Sequence, residues 1–231
     1  MGGRKEKLKR FAELATFNNV VQNYDFKNPQ LKNAAGETVA LRGKWASDFF
    51  KNNNPIILEL ACGKGDYTVG LARMFPQKNF IGIDIKGNRL WRGAKTAIDE
   101  NLTNVGFLRT KIELITFFFA ENEIAEIWIT FPDPFPKSPN RRLTAPHFLD
   151  KYKAIAKKEA IINFKTDDPD LYEYSVEVVK EQALPVIVNE FDIDAAGIRK
   201  DELAIQTFYE KQHLAIGRKI KFLKFFLNSA H

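Results

Sequence analysis

Residues 56–65 read IILELACGKG. The short apolar run predicts a strand over 56–60, and the small residues at 61, 63 and 65 predict a tight turn in which the backbone can approach a ligand closely. After the turn, GDYTVGLARMF has the spacing of an amphipathic helix, closed by Pro76. NFIGIDI (79–85) then predicts a second strand. Strand, glycine turn, helix and strand make one α/β unit.

The same rhythm continues outward. NRLWRGAKTAIDEN has helical spacing, NVGFLRT (104–110) predicts a third strand, and IELITFFFA a short helix. EIAEIWIT (123–130) predicts the fourth strand and PHFLDKYKAIAKK a helix with proline near its first turn. EAIINFKT (159–166) predicts the fifth strand, and PDLYEYSVEVVKEQ a helix that starts after Asp168. LPVIVNEFDI and the stretch from about 203 to 228 have a β-rich pattern. Residues 1–50 are expected to form an N-terminal extension with a helix over roughly 4–16, ahead of a domain covering 51–231. Five alternations predict an α/β fold with a mainly parallel central sheet and helices on both faces. Ligands bind such sheets at the carboxyl ends of the strands.

Composition narrows the class. Of the 231 residues 45% are hydrophobic and 28% charged, which is ordinary for a globular protein. No apolar run reaches membrane-spanning length, and MGGRKEKLKR lacks the apolar core of a secretory signal. One cysteine, Cys62, excludes an internal disulfide framework or a multi-cysteine metal site. A reducing, cytoplasmic setting fits best, and no metal is expected. The net charge of +6 favours a polyanionic partner. Basic residues crowd at 4–10, 137–142, 151–158 and 217–224. Each cluster alone reads as a solvated face; together they offer several grips on phosphate.

The strand ends carry the chemistry. The first holds Glu59, Gly63 and Gly65; the second holds Asp84, placed to accept hydrogen bonds from ribose hydroxyls. The plainer reading is a tight turn with two solvated acids. A dinucleotide fingerprint would want Gly or Ala three residues beyond Gly65, where this chain has Thr68. Cys62 reads as a small packing residue. The fourth strand runs into FPDPFPKSPNRR (131–142), too proline-rich for helix or central strand. Such a loop is stiff, which lowers the entropic cost of positioning a substrate. Phe131 or Phe135 could stack on a base; Asp133 could accept from base N–H groups or lie near a donor. Lys137 could pair with a phosphate or a base acceptor, and Arg141 and Arg142 suit phosphate. The competing reading is a rigid surface loop with a packed aromatic. At the fifth strand's end Asp168 suits a helix cap, so Asp167 is the better site candidate. Thr207, Phe208, Tyr209 and Glu210 sit in a strand-like run that also reads as a plain edge strand. His147, His213 and His231 fall in no catalytic pattern.

ELACGKG together with GIDI resembles the class I S-adenosylmethionine-dependent methyltransferases, whose fold is Rossmann-like. FPDPFPK followed by RRLT, PHFLDKY, FKTDD with YEYS, and TFYEK narrow this further. Over roughly residues 55–215 the chain resembles the bacterial tRNA (guanine-N7-)-methyltransferase family. That resemblance implies methyl transfer from S-adenosylmethionine to N7 of a guanine in the tRNA variable loop (position 46 in tRNA numbering). It implies that Glu59, Asp84 and Asp133 line the cofactor pocket beside Gly63 and Gly65, with Asp133 catalytic. Lys137, Asp167 and Thr207 to Glu210 would bind the guanosine side, and Ser138 to Arg142 would touch RNA. Family members commonly carry an acid after the third strand; here Lys111 stands in that place, with Glu113 nearby. The implied partner is tRNA, with monomer and homodimer both open. Three rivals are another RNA or protein methyltransferase, a nicotinamide-dependent oxidoreductase, and a non-catalytic RNA-binding module.

Overall fold

The computed structural model describes residues 2–228. Helix α1 (Gly2–Leu14) leads into three short strands, β1 (Val20–Asn23), β2 (Leu31–Lys32) and β3 (Thr38–Val39). A wide helical turn (Trp45–Phe49) precedes β4 (Ile56–Leu60), all five of whose residues are buried. Then come α2 (Asp66–Met74), β5 (Asn79–Asp84), α3 (Gly87–Asp99), β6 (Val105–Arg109), α4 (Ile115–Phe118) and β7 (Ile124–Thr130). The chain closes with α5 (Pro146–Lys153), β8 (Ala156–Thr166), α6 (Pro169–Glu181), β9 (Val186–Glu190), α7 (Phe208–Ala215) and β10 (Lys221–Phe226).

The strands form one sheet in the order β3-β2-β1-β6-β5-β4-β7-β8-β10-β9. From β1 through β8 every neighbouring pair is parallel, and the pairs at each flank are antiparallel. A strand buried on both faces alternates between two cores rather than between core and water. Ile56, Leu58 and Leu60 of β4 join one apolar cluster with Phe148 of α5 and Leu171 of α6. Ile57 joins the other, with Leu14 of α1, Tyr67 of α2 and Leu90 of α3. The mainly parallel sheet with helices on both faces is therefore as expected.

The chain builds β4, β5 and β6 to one side and then returns to the other side of β4 with β7 and β8. That reversal opens a crevice at the carboxyl ends of β4 and β7, where doubly wound sheets hold ligands.

Three segments differ from expectation. The helix expected over 146–158 ends at Lys153, and Ala156 already pairs with Ile124 of β7. Strand pairing overrides the helical pattern, leaving Lys157, Lys158 and Glu159 exposed at the start of β8. The stretch 203–228 is only half β: it contains α7 and β10. Thr207 caps α7, its Oγ1 accepting from the backbone N–H of Glu210 at 3.0 Å. The T-x-x-E spacing of a helix start was present in the sequence and outweighs the apolar alternation. Finally, β1 of the first fifty residues lies in the central sheet, and Leu14, Val20 and Trp45 are core residues.

Candidate active site

A cavity of about 450 Å³ occupies the crevice. Its walls come from the turn after β4, the ends of β5, β6 and β7, the loop after β7, and the start of α7.

The turn is built as its small residues require. Ala61, Gly63 and Gly65 all have left-handed backbones, with φ of 55°, 55° and 71°. Cys62 N–H donates to the Ile83 carbonyl at 3.1 Å, which ties the turn to β5. Gly63 N–H donates to Asp84 Oδ2 at 3.0 Å, and Lys86 N–H to Oδ1 at 2.7 Å. Burial raises the Asp84 carboxyl above its usual range, against the pull of those two N–H groups. Each oxygen retains acceptor capacity toward the cavity. Gly65 faces away, its Cα closely packed against the Phe107 ring and Gly93. Burial also pushes the Cys62 thiol well up, so it stays a neutral packing group.

Glu59 does not line the cavity. It is 3% exposed. Its Oε2 accepts from Thr68 N–H at 2.7 Å and from the Thr68 hydroxyl, and its Oε1 from the Thr130 hydroxyl at 2.7 Å. Burial raises its pKa to about 7, with the threonine hydrogen bonds opposing. Glu59 thus bolts α2 and the end of β7 to β4, and Thr130 presents the wall in its place.

The loop after β7 is rigid and strained. Phe131 and Phe135 have φ of 49° and 42°, a region bulky side chains avoid. Phe131 N–H donates to the Lys165 carbonyl at 2.8 Å, and Arg142 Nε to the Pro134 carbonyl at 2.9 Å. Both rings and Asp133 line the cavity. The two arginines separate. Arg141 lines the cavity with its guanidinium 4.4 Å from the Phe135 ring centroid. Arg142, expected to touch RNA, is buried and turned inward onto Pro134 and the Tyr174 ring. Lys137 is exposed beyond the cavity wall.

The start of α7 also splits. Thr207 and Tyr209 line the cavity. Phe208 turns out, 44% exposed, beneath Lys64 Nζ at 3.1 Å from its ring centroid. Its N–H donates to Asp66 Oδ2 at 2.9 Å, which stitches α7 to the glycine turn. Glu210, expected on the substrate, is fully buried. Its carboxylate meets Lys165 Nζ at 2.9 and 3.0 Å and Arg199 Nη1 at 2.6 Å. Lys165 also donates to the Leu203 and Ile205 carbonyls at 3.1 and 3.2 Å. Burial lowers the Lys165 pKa to about 8, the Glu210 charge opposing.

Asp167 lies at the end of β8, outside the cavity wall. Arg218 donates to its Oδ2 and His213 Nδ1 lies against the same oxygen. His147 is exposed on α5, and His231 lies outside the described residues. Sequence reasoning missed Arg89, Lys64 and Thr130 on the wall; Arg89 had a signal, being basic in the first turn after Asp84. Lys111 and Glu113 both reach the wall beyond β6. No cluster of three potential metal ligands occurs among the described residues. No helix among them is long and apolar enough to cross a membrane.

Solved structures share this fold. A structure titled as an antibiotic-related methyltransferase matches with a TM-score of 0.61 at 22% identity, over 82% of this chain and 95% of that one. The 16S rRNA methyltransferase KamB matches with a TM-score of 0.59 at 14% identity, over 76% and 89%. The fold is that of class I methyltransferases. A family model described as "Putative methyltransferase" matches residues 53–223. The tRNA (guanine-N(7)-)-methyltransferase of Christiangramia forsetii is 47% identical, over 96% of this chain and 98% of its own. The protein of the same description from Bacteroides fragilis is 44% identical over 96% and 86%. That of Porphyromonas gingivalis is 52% identical over 80% and 76%. Matched at such identity along nearly its whole length, the chain belongs to the tRNA (guanine-N(7)-)-methyltransferase family.

Proposed function

We propose that this chain transfers a methyl group from S-adenosylmethionine to N7 of a guanine in tRNA, at the variable-loop position 46 that the family resemblance implies. The observation that carries this is the single cavity running from the Asp84–Gly63 corner to the strained loop holding Phe131, Asp133 and Phe135. A nucleoside-bearing donor and a base can meet within it.

The donor side fits. Asp84, pinned by two backbone N–H groups, retains acceptor capacity for ribose hydroxyls. Glu113 stands on the wall where a carboxylate can meet an adenine amino group. When bound, S-adenosylmethionine supplies an electrophilic methyl carbon. Guanine N7 carries a lone pair and no proton. Transfer therefore forms one N–C bond, breaks one C–S bond and leaves no proton for the chain to remove.

The residues then have positioning and electrostatic work. Phe131 and Phe135, fixed by the rigid loop, present faces for the base to stack on. Asp133 faces the positive charge that the guanine acquires. Thr207 and Tyr209 close the opposite wall. Lys137, beyond the lip, reaches a phosphate. Arg141 holds RNA backbone; Arg142 instead braces the loop. Asp167, whose Oδ2 is held by Arg218 and faces His213, offers its Oδ1 to the guanine edge. Glu59 and Glu210 act through the walls they hold. A cytoplasmic setting follows from a tRNA substrate.

The deciding experiment incubates the protein with labelled S-adenosylmethionine and unmodified tRNA and digests the product to nucleosides. 7-Methylguanosine is expected; another methylated nucleoside overturns the substrate atom, and no labelled tRNA overturns the substrate. Asp133→Ala should lower kcat by about 100-fold with the fold intact, the scale of losing one electrostatic stabiliser. Full activity in that variant removes Asp133 from the mechanism.

A further inference from the structure

The first fifty residues carry nine Lys or Arg against five Asp or Glu, so most of the chain's net charge of +6 resides there. Part of that segment packs beside the cavity lip. Lys111, on the cavity wall, has Nζ 4.6 Å from the Phe26 ring centroid. Two residues back, at the end of β6, the Arg109 guanidinium stands 5.7 Å from the Tyr24 ring and 5.4 Å from the Phe11 ring. Arg109 Nε donates to the carbonyl of Ile85, another wall residue. Farther out, Arg10 of α1 stands 4.8 Å over the Trp91 ring of α3. Cations and aromatic rings therefore alternate along one continuous surface leading from the cavity.

The outer end of this surface is partly neutralised, Arg10 Nε meeting Glu6 Oε1 at 3.3 Å and Trp91 Nε1 donating to Glu13 Oε2 at 2.9 Å, whereas the end beside the cavity is open. Tyr24 is 57% exposed, and two exposed lysines lie near the rings: Lys7, one helical turn before Phe11, and Lys27, next to Phe26. Neither Arg109 nor Lys111 has a carboxylate within ion-pair distance among the described residues. Half-exposed rings interleaved with unmatched cations fit a partner that offers flat π faces and regularly spaced negative charge. A single-stranded nucleic acid offers both.

We infer that this N-terminal array is a docking surface for the unpaired RNA strand flanking the methylated nucleotide, with Tyr24 stacking on a base and Arg109, Lys7 and Lys27 meeting phosphates. The inference rests on the RNA-methylation reading above. It places the strand's exit on the β6 side of the cavity, opposite the proline loop.

The test uses the full chain, an unmodified tRNA transcript and S-adenosylmethionine. Tyr24→Ala should raise the KM for tRNA about tenfold, within the range for losing one stacked base. Tyr24→Phe should restore it. The Lys7→Ala/Lys27→Ala double variant should flatten the dependence of log KM on log salt by about one to two, the loss of up to two phosphate contacts. kcat and the calorimetric affinity for S-adenosylhomocysteine should stay at wild-type values in every variant. Unchanged KM and salt slope overturn the array. So does weakened S-adenosylhomocysteine binding with unchanged KM for tRNA, which would make the segment a cover over the donor. If the wild-type protein yields no methylated tRNA, the RNA-methylation reading fails, and the array with it.

Discussion

Glu59, 3% exposed, spends its acceptors on two threonines. Its pKa, raised by burial to about 7 from 4.5, means the fold favours the protonated form. The stabilisation is fully present below the unfolded pKa and is lost as pH rises through about 7, a change on the order of 3 kcal/mol. Urea denaturation at pH 5 and pH 8 should show that decline in the wild type and a flatter profile in Glu59→Gln; equal slopes would remove Glu59 as its source. At the other wall, Lys165 and Glu210 are both fully buried. Lys165→Met should cost up to about 3 kcal/mol, less than stranding a buried charge outright, because Arg199 Nη1 still meets Glu210 at 2.6 Å. Glu210→Gln should add less on that background than alone, since both act in one network. Full additivity in a denaturation cycle would sink the coupling. Glu59 was legible as an acid at the end of the first predicted strand, whereas a site role for Glu210 was implied only by the family resemblance. Their inward direction was not legible, because it is fixed with Thr130, 71 residues from Glu59, and Lys165, 45 residues from Glu210, beside the nearer Thr68 and Arg199.

The elements of the site are short and depend on particular residues. Gly65 ends the turn at φ 71°, and a Cβ there would stand 2.7 Å from a Phe107 ring carbon and 3.2 Å from Gly93 Cα. Gly65→Ala should therefore destabilise by more than the roughly 1 kcal/mol of the backbone term alone, because α2 and α3 must part. A melting temperature within a degree of wild type would show that they need not. Thr207→Ala removes the cap of α7, worth about 1 kcal/mol, and loosens the turn that carries Tyr209 to the cavity. The cap was readable as T-x-x-E; the alternating apolar residues around it hid it. The loop after β7 was legible as rigid from its prolines. That its two phenylalanines take left-handed backbones, and that Arg142 rather than Arg141 braces it, follows from tertiary contacts with β8 and Pro134.

At the scale of the molecule, the cavity has walls from both halves of the sheet, so a bound ligand should hold the halves together. At 100 times its Kd, S-adenosylhomocysteine should add about 2.7 kcal/mol and raise the melting temperature by about 5 to 10 °C. No shift at saturation would remove the donor site. The sequence by itself determined the alternation of strands and helices, the turn at 61–65, the acid at 84 and the stiffness of 131–136. These are local properties, written in periodicity, glycine, proline and spacing. Tertiary structure alone decided that β1 joins the sheet beside β6, that the 199–210 segment crosses back to α2, and which acids face the cavity. A side chain's partner is set by pairings across scores of residues, and for a charged group the partner decides whether it serves a ligand or the fold.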